Sequence, residues 1–398
     1  MLFDLSDKKL IQIENHIQKN YIDAGKYSGA LVGLYINNEV ISLGPFGMRD
    51  IKRSRVMKRD SIFRIFSMTK PITSVALMQL YESNKIDLDD PVHKYIKTWE
   101  KLKVYKSGEL GSFTVQNPIR HMTIKDLMTH QSGLSYGYIS DTKVDKAYRQ
   151  ILSPDGYFDK SGEEFIESLS YMPLLFSPGT LWNYSVSTDV IGYIISLVSG
   201  YSLEEYMKEN IFYPLDMSDT GFYAHENQID RLTSNYYNSP TDKLKLIDDS
   251  INSKFLNKPA FFSGGAGLLS TLDDYINFSL MLLNKGIFNN NRIIESNTID
   301  LMTKNHLINN QDLLSTAMPG LRWAESSFEG IGFGLGFSIQ MNQNIEGPAG
   351  QYGWGGAAST YFWIDPQSEF IFVFLTQLMP SYSYKIRSEL KRIVYSCN

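Results

Sequence analysis

Ser67-Met68-Thr69-Lys70 sets a hydroxyl and an amine one helical turn apart. Residues at i and i+3 share a helix face, so Lys70 can accept or relay the proton that Ser67 must lose to become a nucleophile. The spacing alone says little, because Ser-x-x-Lys occurs four times, starting at Ser6, Ser67, Ser140 and Ser388. Context separates the copies. The first and last fall in charged terminal helices and the third in a polar stretch, where a lysine is expected to stay solvated and protonated. Only Ser67 follows an apolar stretch (Ile62, Phe63, Ile65, Phe66) and stands just before Pro71. The missing N–H of proline is tolerated in a first helical turn, which places Ser67 at or near a helix N-terminus. Unpaired N–H groups and the positive dipole end there favour a developing oxyanion. An ordinary N-cap serine would fit the same pattern.

A nucleophile and a base need a third group and an oxyanion site, and two segments offer them. In Pro178-Gly179-Thr180-Leu181-Trp182-Asn183-Tyr184-Ser185-Val186-Ser187, a turn leads into an apolar helix and holds Tyr184 at its start. A phenol titrates near 10, but a neighbouring ammonium favours the phenolate, so a tyrosine beside Lys70 can act as base or proton shuttle. With 25 Tyr and 22 Phe in the chain, core packing is the competing role. In Gly353-Trp354-Gly355-Gly356-Ala357-Ala358, three glycines around a tryptophan let backbone approach a ligand or another strand.

The elements that must position these groups are readable from periodicity. Residues 5–24 read as an amphipathic helix, and Gly29 to Phe46 as a hairpin turning on Asn37-Asn38, where asparagine tolerates positive φ. The Ser67 helix is expected to run to about Asn84. Thr123 with Asp126, Ser202 with Glu205 and Thr271 with Asp274 each set an acceptor three residues before an acid, the pattern of a capped helix start. Residues 101–120 read as a long surface loop. Ile331 to Gln340 and Thr360 to Thr376 read as strands, the latter a hairpin turning at Asp365-Pro366-Gln367-Ser368, and a last helix runs from about Tyr382 to Tyr395. Strands from both termini are expected to share one antiparallel sheet, with a helical insertion between the halves.

Composition narrows the partner. The 398 residues are 43% apolar and 20% charged, a globular profile of one large or two interlocked domains. A net charge of −5 without a dense Lys/Arg stripe argues against nucleic acid and anionic membranes, leaving a small molecule as the expected partner. The charged N-terminal segment does not read as a secretory signal, and no run of 18 apolar residues occurs, so a cytoplasmic location is expected. Cys397 is the single cysteine, which excludes an internal disulfide and a cysteine-based zinc site, and the six histidines lack metal-ligand spacing; neither metal nor cofactor is expected. His130 reads as fixing a turn after a helix. Gly332-Phe333-Gly334-Leu335-Gly336 reads as a glycine-rich strand under the site rather than a nucleotide loop. Tyr136, Tyr138, Trp182, Trp323, Tyr352 and Trp354 are candidates to line an apolar acyl pocket, although core packing is the expected role of Tyr136, Tyr138 and Trp323.

Five blocks together, FRIFSMTKPITSVALMQLYE (63–82), THQSGL (129–134), FSPGTLWNYSVSTDVIGYII (176–195), GGAGLLST (264–271) and GWGGAASTYFWIDP (353–366), resemble in order and spacing the serine beta-lactamase and penicillin-binding-protein superfamily. Within it the sequence is most similar to the beta-lactamase-like carboxylesterases called family VIII esterases, over nearly the whole chain. The resemblance implies an α+β (mixed α/β), beta-lactamase/transpeptidase-like fold: an antiparallel sheet flanked by helices, with an inserted mainly helical domain. Residues of about 1–66 and 255–398 would form the α/β half and 67–254 the helical half. It further implies Ser67 as the acylated nucleophile, Lys70 as its partner and Tyr184 as the completing tyrosine. Trp354, Gly355 and Gly356 match the third motif, on an edge strand lining the cleft, and the backbone N–H groups of Ser67 and Ala357 would form the oxyanion hole.

Two departures from the lactamase pattern bear on substrate. Trp354 stands where such enzymes carry Lys or His, so a substrate carboxylate loses a cationic partner. Val186 stands where an Asn commonly follows the tyrosine by two, and cannot satisfy an acylamino group. Both favour a neutral ester, hence a serine hydrolase of carboxylesters. The competing expectations are a beta-lactamase, D,D-peptidase or D-amino-acid amidase, an acyltransferase, and a non-catalytic binding protein on the same fold.

Overall fold

A computed structural model gives the fold and describes residues 5–152, 159–320 and 328–396; Trp323 and Cys397 lie outside them. Helix α1 (Asp7–Ile17) buries Ile13 and Ile17. Strand β1 (Gly29–Ile36) turns at Asn37 and Asn38, with φ of 52° and 63°, into β2 (Glu39–Asp50), which is followed by β3 (Arg55–Val56). After a mainly helical middle come β4 (Ile331–Phe333), β5 (Ser338–Gln340), β6 (Tyr352–Gly355), β7 (Tyr361–Asp365) and β8 (Phe370–Thr376). They form one sheet in the order β4-β5-β6-β7-β8-β1-β2-β3, antiparallel throughout. The two ends of the chain meet at β1 and β8, with Ala30 opposite Thr376 and Tyr35 opposite Ile371.

The sequence of β8 shows why the sheet is covered on both faces. A strand alternates its side chains between faces. Phe370, Phe372 and Phe374 join the core under α1 and the C-terminal helix α6 (Ile386–Tyr395), while Ile371, Val373 and Leu375 join the larger core on the other face. That larger core holds α2 (Thr69–Glu82), whose residues are buried on nearly every side, as expected for a helix that is apolar all round. Around α2 lie α3 (Ile124–Met128), α4 (Ser187–Ser199) and α5 (Leu272–Leu283). The side chains of Thr123, Ser202 and Thr271 accept hydrogen bonds from the amides of Asp126, Glu205 and Asp274, each at a helix start. Among the described residues no helix is long and apolar enough to cross a membrane.

Four expectations are corrected. Residues 101–120 contain a hairpin, Val104–Ser107 with Thr114–Gln116, rather than only a loop. Ile331 to Gln340 is two short strands, because at Gly334 and Gly336 the backbone runs too close to its neighbours for a side chain: a Cβ would sit 2.2 Å from the Met302 carbonyl oxygen and 2.2 Å from Ser74 Oγ. Strand β6 is interior, third from the β4 edge, and not an edge strand. Lys9 and Lys391 are buried rather than solvated: Lys9 Nζ donates to the Val394 carbonyl at 3.0 Å, and Lys391 Nζ lies 5.6 Å from the ring centres of both Tyr361 and Trp363. Long amphipathic side chains commonly cover apolar surface in this way. The solvated reading holds for Lys143, which is exposed and paired with Glu109.

Candidate active site

Ser67 lies in a 3-10 turn, Phe66–Met68, that runs directly into α2. Its hydroxyl caps neither element, so the N-cap role is not what the residue performs. The turn is entered through Phe66 at φ 42°, a left-handed conformation that a bulky residue rarely adopts. This re-aims the chain between the buried strand residues and the helix. The carbonyl of Met68 accepts from Tyr275 of α5 at 2.8 Å, which ties the start of α2 to its neighbour.

Lys70 follows one turn later and is buried. Its Nζ donates to Ser67 Oγ at 3.3 Å, to Tyr136 OH at 2.8 Å and to the Gly265 carbonyl at 2.7 Å. Burial penalises the ammonium and brings the group down to about 7, against the smaller opposing pull of Asp189. The amine is thus available in neutral form near neutral pH. A neutral amine bonded to a serine hydroxyl can take up its proton.

Tyr184 completes the cluster. Its ring centre lies 4.6 Å from Lys70 Nζ, and its OH accepts from Trp354 Nε1 at 3.1 Å and is hydrogen-bonded to Ser67. Burial raises the phenol well above its ordinary 10, outweighing the hydrogen bonds from Ser67 and Trp354. The phenolate expected from a nearby ammonium is therefore not favoured: Tyr184 stays a neutral phenol, and Lys70 is the group adjusted toward proton acceptance. His130, at φ 55° in the turn after α3, packs its ring 4.7 Å from that of Tyr184 and approaches Ser185 Oγ at 3.3 Å. Ser185, Ser187 and Ser132 continue this buried chain at 2.8 and 2.7 Å, holding the Tyr184 segment. Burial first, and Lys70 second, keep His130 well below 6.5 and hence neutral.

Three residues contribute to the site in ways the sequence reading does not give: Tyr136, read there as pocket lining or core, and Asp189 and Gly265, assigned no role. Tyr136 is buried as expected, yet it bonds Lys70 and its OH approaches Asp189 Oδ2 at 3.5 Å. Asp189, in the first turn of α4, accepts from Ser263 Oγ at 2.5 Å and from the Gly265 amide at 3.0 Å. Gly265 therefore joins the lysine to the carboxylate through its two backbone groups. One signal was available: Asp189 is the single acid directly before the mostly apolar run Val190 to Ile195. A Cβ at Gly265 would sit 2.4 Å from Asp189 Oδ2, so Gly265→Ala is expected to lower stability by about 1–3 kcal/mol and kcat with it, measured by urea unfolding and steady-state kinetics. Unaltered values for both would remove Gly265 from this network.

The remaining candidates divide. Gly356 abuts the strand leading to Ser67, since a Cβ there would lie 2.3 Å from the Ile65 carbonyl oxygen, and Thr360 Oγ1 approaches that same oxygen at 3.4 Å. The turn from Gly356 to Thr360 thus brings Ala357 beside the segment that carries Ser67. Among the described residues the amides of Ser67 and Ala357 donate to no backbone carbonyl, the state required of an oxyanion pair. Trp354 is largely buried and packs against Tyr184 and Phe333, so the third-motif position carries an indole committed to Tyr184. Gly355 turns to the opposite face of the sheet. Val186 is fully buried at the start of α4, and Trp182 and Tyr352 are buried too. Tyr138, read as core, is instead 67% exposed and stacks on Tyr136 with ring centres 5.2 Å apart. A cavity of about 190 Å³ lined by Ser338, Tyr361, Arg387 and Lys391 has none of Ser67, Lys70 or Tyr184 in its wall.

A serine-lysine-tyrosine cluster between an antiparallel sheet and a helical layer, with the lysine and tyrosine buried, is the arrangement of the serine beta-lactamase and penicillin-binding-protein superfamily. The chain belongs to the Beta-lactamase family, whose sequence model matches residues 14–394. An uncharacterized protein of Mycobacterium tuberculosis is 31% identical over 368 residues, 91% of this chain and 88% of its own. The lovastatin esterase of Penicillium rubens is 26% identical over 394 residues, 93% and 94% of the two chains. Among solved structures, EstCE1, a hydrolase with promiscuous acyltransferase activity, superimposes with a TM-score of 0.80 at 23% identity, covering 99% of this chain and 100% of its own. The fold is beta-lactamase/transpeptidase-like, and esterases and acyltransferases are among the relatives.

Proposed function

We propose that this chain is a serine hydrolase that cleaves neutral carboxylic esters through an acyl-enzyme on Ser67. The observation that carries the reading is the buried Lys70 amine, adjusted to about 7 and hydrogen-bonded to the Ser67 hydroxyl. Neutral Lys70 takes the Ser67 proton as Oγ bonds to the ester carbonyl carbon. The resulting oxyanion is held by the amides of Ser67 and Ala357. Tyr184, bonded to Ser67, passes a proton toward the leaving oxygen, and Lys70 replaces it; the carbon–oxygen bond breaks and the alcohol departs. Water then adds to the acyl carbonyl, giving its proton to the same pair, and Ser67 is released with the carboxylic acid.

Trp354 supports a neutral substrate, because its N–H is directed to Tyr184 and supplies no charge for a carboxylate. The lovastatin esterase supports an ester reading over a lactam one. A second reading, transfer of the acyl group to an alcohol, is favoured by the EstCE1 likeness and needs only an acceptor that competes with water. The test sets p-nitrophenyl butyrate beside a chromogenic cephalosporin, with and without a primary alcohol. Ester turnover at least about a hundredfold above cephalosporin turnover in kcat/KM is expected, a gap of about 2.7 kcal/mol in transition-state binding. Efficient cephalosporin hydrolysis would move the chain to the lactamase side, and alcohol-dependent ester formation to the transferase reading.

A further inference from the structure

Arg387 projects from α6 toward the side of β6 opposite Trp354, and so opposite the Ser67 cluster. We propose that it is a positioning residue for the oxyanion site, fixing and polarising the peptide that carries the Ala357 N–H. The inference rests on the assignment of that amide in the proposed function.

The geometry is specific to one peptide unit. Arg387 Nη2 donates to the Gly356 carbonyl at 2.8 Å and to the Thr360 carbonyl at 3.0 Å. The Gly356 amide itself donates to Thr360 at 2.8 Å, so one guanidinium nitrogen holds both ends of a closed turn. The Gly356 carbonyl belongs to the same peptide as the Ala357 N–H. A charged donor on a carbonyl draws electron density through the amide and makes its N–H a stronger donor. The Ser359 amide, donating to the same carbonyl at 3.1 Å, adds to the effect.

The surroundings are shaped to seat this arginine. A Cβ on Gly355 would lie 2.6 Å from the guanidinium carbon, so only glycine leaves room for it. The Tyr361 ring lies beneath, its centre 5.1 Å from that carbon, a favourable cation–π distance. The turn meets the Ile65 carbonyl on its other side, two residues before Ser67. Arg387 therefore presses one oxyanion donor toward the strand that delivers the other. Charge builds on the substrate oxygen only as the tetrahedral intermediate forms, so the contribution belongs to kcat and not to substrate binding.

The test uses the full chain with Arg387→Met, Arg387→Lys and Gly355→Ala. With p-nitrophenyl butyrate, Arg387→Met is expected to lower kcat about 10- to 100-fold, less than outright removal of an oxyanion donor, with KM changed less than about twofold. Inhibition by butylboronic acid, which forms a tetrahedral adduct, should weaken in parallel. Arg387→Lys should restore part of kcat by supplying one charged donor, and Gly355→Ala should resemble Arg387→Met by displacing the guanidinium. Amide hydrogen exchange over 353–361 should quicken in Arg387→Met, with α2 unchanged. Unchanged exchange there overturns the clamp whatever becomes of turnover. Faster exchange with kcat retained, or a raised KM at constant kcat, overturns the catalytic link. Turnover that survives Ser67→Ala would instead defeat the proposed function, while exchange would still report on the clamp.

Discussion

Ser67→Ala is expected to leave a folded chain that no longer turns over p-nitrophenyl butyrate, with kcat down by about 10⁴-fold or more, the scale seen when the nucleophile of a cooperating group is removed. The hydroxyl is only half-buried, and Lys70 keeps two other acceptors, Tyr136 OH and the Gly265 carbonyl, once it is gone. The melting temperature should therefore hardly move. A fluorophosphonate probe should add mass to the wild type and none to the variant. Residual turnover within tenfold of wild type, at matched folding, would mean that another nucleophile acts.

The second large effect is at Lys70. Lys70→Met should reduce kcat/KM by a factor of about 10³, since it removes the proton acceptor and the group that holds Ser67. In the wild type, log kcat/KM should rise with pH and level off above about 7, the value to which burial brings the amine. A flat profile between pH 5.5 and 9 would dissociate activity from Lys70.

The same burial has a signature in stability. In the unfolded chain Lys70 titrates near 10.5, and in the folded one near 7. Between these values the unfolded chain binds one more proton, so this residue makes wild-type stability rise with pH across the window. Below pH 7 both states are protonated and the full cost of the buried ammonium relative to the neutral amine is present, about 5 kcal/mol. The stability advantage of Lys70→Met should thus be largest at pH 6 and shrink toward pH 10. Denaturant unfolding at the two pH values measures it, and a difference independent of pH would contradict the shifted titration.

What sequence could reveal followed the range of the interaction. Ser67 and Lys70 share one turn, so i,i+3 spacing was enough to pair them. Thr123, Ser202 and Thr271 were legible because a cap is settled within four residues. Tyr136 and Gly265 reach Lys70 across 66 and 195 positions, and periodicity carries no trace of contacts of that kind. Tyr138 shows the converse: nothing local separates an aromatic that fills a core from one that stacks on its neighbour and faces solvent. The break of Ile331 to Gln340 was hidden because the glycines that cause it answer to Met302 and Ser74, residues of other elements. The family blocks brought Tyr184 and the third motif to one place where spacing alone could not.

The pairing of β1 with β8 also orders events during synthesis. The nucleophile, its lysine and its tyrosine are all made by residue 184, yet β1 has no partner on its β8 side until residues 370–376 emerge, and the turn bearing Ala357 comes only shortly before them. Contacts of such long sequence separation form late, because the intervening chain must first close into a loop. A nascent or C-terminally truncated chain would therefore carry Ser67, Lys70 and Tyr184 without the second donor of the proposed oxyanion site. On the proposed mechanism, chemical competence arrives together with the last strands of the sheet.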